Sequence, residues 1–213
     1  RRDFFKTPFV VAGLTLGGRP SAEVVAAPGA DLPKAPGLTR YVAEFIVNTK
    51  YEDIPEDVIT LGKKTILDGF GLALAGSASV LAPRMRQYIA TLGLANGKSS
   101  SIIGTTMKVP PRFAALANGV SIHADDYDDT GSALHVAAPA LPPSFAMCEA
   151  GRRGGRDLML AFHVGVEVEN KIGDAISPRH NADGFHTTGT CGSFGSAAAC
   201  AKLRGLTVMQ TAY

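Results

Sequence analysis

From Leu38 to Leu203, apolar side chains recur at three- and four-residue spacing in one run after another, and that period most narrows what the chain can become. Tyr41, Val42, Phe45 and Ile46 mark a helix over Leu38 to Asn48. Pro55 opens a second, with Glu56 and Asp57 in its first turn, where carboxylates suit the positive end of the helix dipole, and Val58, Leu61, Leu72 and Leu74 carry it toward Gly76. A third is expected over Pro83 to Leu92, and Pro110-Pro111 starts a fourth through Phe113, Leu116 and Val120. Beyond the prolines at 139, 142 and 143, helices are expected around Phe145 to Ala150, from Asp157 to about Ile176, and from about Gly192 to Leu203. Thr207 has the character of an N-cap for one more. Only Ser100 to Ile103, between Gly97 and Gly104, reads as a short strand. The expected fold class is therefore mainly α.

Composition supports a packed helical core and excludes several functions. With 46% hydrophobic and 19% charged residues the chain is not disordered, and plentiful Ala and Gly with no Trp suit helices in close approach. A net charge of +2 with both signs mixed leaves no basic stripe, so nucleic acid is not an expected partner. Cys148, Cys191 and Cys200 form no CxxC pair and have no His two to four residues away, which argues for free buried thiols over structural zinc.

The N-terminus is of a different character. Arg1-Arg2, the apolar run Pro8 to Leu16 and the small residues Val24 to Ala27 follow the layout of a twin-arginine-type export signal, so residues 1–30 are expected to be a signal segment and 31–37 a linker. The apolar run is too short to span a bilayer. The expected location is the periplasm if that segment acts as a signal, and otherwise the cytoplasm. The folded unit is expected over 38–213, and a helix opening at Thr207, close to Tyr213, leads us to expect a further C-terminal portion.

One segment stands out chemically. His123-Ala124-Asp125-Asp126-Tyr127-Asp128-Asp129-Thr130-Gly131-Ser132-Ala133-Leu134-His135 gathers four carboxylates and two imidazoles beside an Ala-rich helix. If the helix continues through it, His123, Asp126 and Thr130 share one face, and Asp125 and Asp129 another, so one set can face a cavity while the other caps a following element. Asp126-x-Asp128-x-Thr130-Gly131 matches the first half of a calcium-binding EF-hand loop, but the twelfth position is Ala137 where a bidentate Glu is required. A divalent-metal site is chemically conceivable if His123, Asp126 and His135 converge, and a solvated acidic turn is the plainest alternative.

The cluster does not stand alone. Asn118-Gly119, His123, Asp126 to Thr130, His135, Gly165-Val166-Glu167-Val168, Gly184-Phe185-His186-Thr187-Thr188-Gly189 and the helix from Gly195 to Leu206 come in the order and approximate spacing of the MmgE/PrpD family. The chain resembles that family from about Leu38 onward. Two departures are visible: Asp125 stands where an apolar residue is usual, and His135-Val136 replaces a His-Pro pair. The resemblance implies a helical domain joined to a smaller α+β lid domain that lies outside this chain, usually in a homodimer, acting on di- or tricarboxylates without metal or organic cofactor. It implies that Asp126, Thr130, His135 and His186 face the substrate, to which we add His123 as a substrate-binding residue.

Residue types fit that chemistry. The difficult step is moving a proton at a carbon beside a carboxylate, and His gives or takes protons near neutrality. His135 and His186 are expected as the acid/base or carboxylate-holding pair, Asp126 as base or orienter, and Thr130 as a hydrogen-bond donor. The expected activity is that of a lyase, by 2-methylcitrate dehydratase-like dehydration or by decarboxylation of a cis-aconitate-like acid, with this segment alone inactive. An epimerase of the same fold, or a periplasmic organic-acid binder without catalysis, are the alternatives. Gly189, Gly192 and Gly195 lack the strand and the Lys-Ser/Thr of a nucleotide loop and are read as packing positions, while a helix N-terminus near His186 to Thr190 could receive a carboxylate. His163, on an apolar helix, is read as a satisfied core or surface histidine, and His180 as a loop residue bordering the site.

Overall fold

The computed structural model describes residues 36–94, 99–131, 134–177 and 179–213. The expected export segment and most of the linker lie outside the described residues. Nine α-helices are present among the described residues: α1 Leu38–Asn48, α2 Glu56–Gly76, α3 Leu81–Thr91, α4 Pro111–Ile122, α5 Ala137–Gly151, α6 Gly155–Ile176, α7 Arg179–Ala182, α8 Thr187–Arg204 and α9 Val208–Ala212. The fold is mainly α, as the periodicity indicates. The expected strand is shorter, Ser100–Ser101 (β1), and pairs antiparallel with Lys108–Val109 (β2). No single helix among the described residues is long and apolar enough to cross a membrane.

At the centre is α5, whose sequence carries no charge before Glu149 and which is buried or half-buried up to its last two residues. An all-round apolar helix has to be enclosed on several sides. It is: Ala140 and Leu141 meet Ile66, Leu72 and Ala73 of α2, Ile122 of α4 and Phe162 of α6, while Ala146 meets Ile89, Ala114, Ala117 and Val109. Cys148 packs with Ala161, Ala199 and Leu203. On the far side of α6, Val164 and Val168 join Ile46 of α1 and Ala198 and Ala201 of α8.

The start of α5 corrects the expectation that its prolines precede it. The helix begins at Ala137 and contains Pro142 and Pro143. An interior proline removes one backbone hydrogen bond and strands the carbonyl four residues earlier. For Pro143 that carbonyl belongs to Pro139, and the hydroxyl of Ser196 on α8 donates to it at 2.8 Å. The neighbouring helix thus replaces the lost partner.

Small residues set the separation of α5, α6 and α8. A β-carbon at Gly192 would overlap the Pro139 ring, and one at Gly195 would overlap the carboxylate of Glu169. Both glycines therefore act through close helix approach, as read from the sequence. The third of the series, Gly189, instead gives its N–H to His186. His163 is a core histidine, 7% exposed, with Nδ1 2.7 Å from the Met159 carbonyl and Nε2 3.2 Å from the Val58 carbonyl, and it ties α6 to α2. Cys148 and Cys191 are buried free thiols and Cys200 is partly buried, with burial pushing the Cys148 thiol up to about 11. α9 opens on Thr207, whose side chain and that of Gln210 cap each other's backbone N–H.

Candidate active site

Helix α4 stops at Ile122, with His123 as its C-cap, so the acidic segment is a turn and not a helical continuation. The face-sharing expected of His123, Asp126 and Thr130 is reached by another route. Asp126 has φ 54°, a left-handed conformation that Asp tolerates better than most residues, and this folds its side chain back over the histidines. Its Oδ1 lies 3.7 Å from His123 Nε2 and 3.4 Å from His135 Nε2. Thr130 and His135 then pair as an isolated antiparallel bridge, closed by Gly131 N–H donating to the Leu134 carbonyl at 2.7 Å.

Asp128 is the organiser beneath. Its side chain is fully buried, and its Oδ1 accepts from His123 Nδ1 at 2.7 Å. His135 Nδ1 faces two oxygens of the same residue, the backbone carbonyl at 3.1 Å and Oδ1 at 3.3 Å. Every partner of these Nδ1 atoms is an acceptor, so each Nδ1 carries the hydrogen, and in the neutral ring each Nε2 presents a lone pair. Asp129 performs the capping task foreseen for one of the acids: its Oδ1 accepts from Ala137 N at 2.9 Å, at the first turn of α5. Burial raises the Asp129 carboxyl to about 6, against the lowering effect of that hydrogen bond, with Asp128 and Asp68 adding to the rise.

The second motif arrives on α8, which starts at Thr187, five residues before the expected Gly192, because His186 is its N-cap. His186 Nδ1 accepts from Gly189 N–H at 3.1 Å. An accepting Nδ1 requires the hydrogen on Nε2, so His186 holds the tautomer opposite to that of His123 and His135. Thr188 ties the two motifs together, its Oγ1 accepting from the His135 backbone N–H at 3.1 Å.

Between the motifs lies a cavity of about 690 Å³, lined by Asp126, Thr130, Gly131, Leu134, His135, Asn181, Gly184, Phe185, His186, Thr187 and Thr188. Four of the five residues singled out from the sequence, Asp126, Thr130, His135 and His186, face it. His123 does not line it; its ring packs edge-on against His135, at 4.8 Å between centroids, and His186, at 6.2 Å. Asp128 was missed, because its role depends on a turn that helical spacing does not describe. Asn181 was also missed, since α7 was read as loop, and Phe185 was quoted only as part of its motif. His180 stands behind the lining, stacked on Phe185 at 4.9 Å and 3.0 Å from Thr190 Oγ1.

A further polar layer lies below. Glu169 on α6 is fully buried, neither carboxylate oxygen has a hydrogen-bond partner among the described residues, and burial followed by the neighbouring Asp129 pushes its carboxyl up to about 10. It is held as the neutral acid.

Residues 40–213 match the model of the MmgE/PrpD N-terminal domain. Cis-aconitate decarboxylase of Mus musculus is 32% identical over 178 residues, covering 80% of this chain and 36% of that protein. The Homo sapiens enzyme is 34% identical over 176 residues, covering 79% of this chain and 36% of the enzyme. That of Aspergillus terreus is 34% identical over 190 residues, covering 84% and 38%. The chain thus spans little more than a third of the length of the curated relatives it matches. With the family's domain matched over nearly all the described residues, and both of its polar motifs meeting at one cavity, the chain belongs to the MmgE/PrpD family and carries its N-terminal domain.

Proposed function

We propose that this chain supplies the helical half of the active site of a lyase acting on a di- or tricarboxylate by acid/base chemistry of its own side chains. The observation that carries the reading is the pair of opposite imidazole tautomers at one cavity: His135 offers an Nε2 lone pair and His186 an Nε2–H. A base and a hydrogen donor are what elimination beside a carboxylate requires. In dehydration, His135 takes the proton from the carbon next to the carboxylate, the electron pair forms the double bond, and hydroxide leaves as water with a proton from the donor. In decarboxylation of an unsaturated acid, CO2 leaves as the double bond shifts, and a proton is delivered to the carbon that gains the electron pair. Asp126, 3.4 Å from His135 Nε2, shares or receives that proton, and Thr130 donates to a substrate oxygen. The names of the similar decarboxylases favour a cis-aconitate-like acid within this class.

The test is turnover of the full-length protein on cis-aconitate, 2-methylcitrate and citrate, following CO2 release and double-bond formation. His135→Ala and His186→Ala are each expected to lower turnover at least about a hundredfold, as for loss of a positioned acid/base group. Near wild-type rates in both variants would overturn the assignment. Exchange of substrate hydrogen with solvent, without CO2 or water loss, would instead mark an epimerase.

A further inference from the structure

We propose that His123 Nε2, His135 Nε2 and Asp126 Oδ1 form a binding site for a transition-metal dication of the Zn2+ class, and that its occupation blocks acid/base use of the same atoms. One ligand atom from each of His123, Asp126, Asp128 and His135 lies within 4.8 Å of the others. The arrangement within that group is specific. Asp128 engages the Nδ1 edge of both rings, which leaves both Nε2 lone pairs toward Asp126 Oδ1, at 3.7 and 3.4 Å. Ligand bonds of about 2.1 Å in a tetrahedral shell place donor atoms roughly 3.4 Å apart, close to both separations between Asp126 Oδ1 and the two imidazoles.

Two observations beyond the clustering point to a cation. In these tautomers the three atoms are all acceptors, and they face one another with no hydrogen between them; only a shared proton or a cation relieves that repulsion. Below them Asp128 is fully buried with Oδ2 unpartnered among the described residues, and its Oδ1 faces the Nδ1 atoms of both imidazoles, a contact that fixes ring orientation and strengthens a metal-bound histidine. Two imidazoles with one carboxylate favour Zn2+, Co2+ or Ni2+ over Mg2+ or Ca2+. The fourth position opens on the cavity that Asp126 and His135 line. An ion there consumes the His135 lone pair, so metal binding and proton transfer exclude each other. This site stands on the geometry alone and holds whichever acid the enzyme turns over.

The experiment is calorimetric titration of the 213-residue chain with ZnCl2 and, separately, MgCl2, paired with the visible spectrum of the Co2+ form. One equivalent of Zn2+ binding at micromolar concentration or tighter, no Mg2+ binding, and a Co2+ spectrum without thiolate charge transfer are expected. Asp126→Asn, at an exposed side chain, and His123→Gln, checked for an unchanged thermal transition, should each weaken Zn2+ binding at least about tenfold. No Zn2+ binding up to millimolar concentration, or equal affinity in both variants, would overturn the site. In the full-length enzyme Zn2+ should lower turnover and EDTA restore it; activation by Zn2+ would overturn the exclusion.

Discussion

Asp128 holds two imidazoles by their Nδ1 edges without itself lining the cavity, so it acts through them. Its replacement by Asn keeps the shape and removes the charge that fixes both tautomers. In the full-length enzyme Asp128→Asn should lower kcat about 10- to 100-fold, in the range typical of partners that orient a working histidine, with KM little changed and the pH–rate profile displaced. A fall in thermal stability with an unaltered profile would show a structural role only. Glu169 gives a second prediction, in stability. Its carboxyl is raised to about 10 in the fold, against about 4.3 in an unfolded chain. The folded state therefore keeps a proton that the unfolded chain sheds above about pH 4.3; the stabilisation this gives is fully present below that pH and declines as pH rises toward 10, with roughly 4 kcal/mol gone by pH 7. Glu169→Gln should raise the melting temperature at pH 8 and change it little at pH 4, as thermal unfolding across that range would show.

Helix α5 shows how neighbouring elements decide what local sequence leaves open. Pro142 and Pro143 argue against a helix through them, yet Ser196 on α8 satisfies the carbonyl that Pro143 strands. Ser196→Ala should destabilise the domain by about 1 kcal/mol, the loss of a hydrogen bond to a half-buried acceptor, measurable as a lower denaturant midpoint. The same dependence explains what could be read beforehand. α1, α2, α4, α6 and α9 follow from periodicity, from Pro55 and Pro110, and from Thr207, because their ends are set by residues within a few positions. The starts of α5 and α8 rest on Ser196, on Asp129 capping Ala137, and on His186 turned onto Gly189, the first being a contact between distant segments and the second a side-chain cap from an irregular turn. In the site, Asp126, Thr130, His135 and His186 were legible from residue type and motif order. Asp128 was not, because a positive φ at Asp126, invisible to periodicity, decides which carboxylate lies under the rings and which lies over them.

On the scale of the molecule, the cavity walls seen here come from residues 126–135 and 181–188, and the similar decarboxylases are far longer than this chain. No Lys or Arg lines the cavity among the described residues, although a polycarboxylate needs its charge balanced. Purified residues 38–213 should accordingly show no turnover on cis-aconitate or 2-methylcitrate, and measurable dehydration or CO2 release by that segment would contradict the division of labour. His123 closes the C-terminal end of α4, and His186 closes the N-terminal end of α8. Helix ends bear partial charges of opposite sign, negative at a C-terminus and positive at an N-terminus. The N-terminal end of α8 therefore turns its positive pole to the cavity, and a ligand with unlike ends has one favoured way round, its more anionic end toward Thr187 and Thr188.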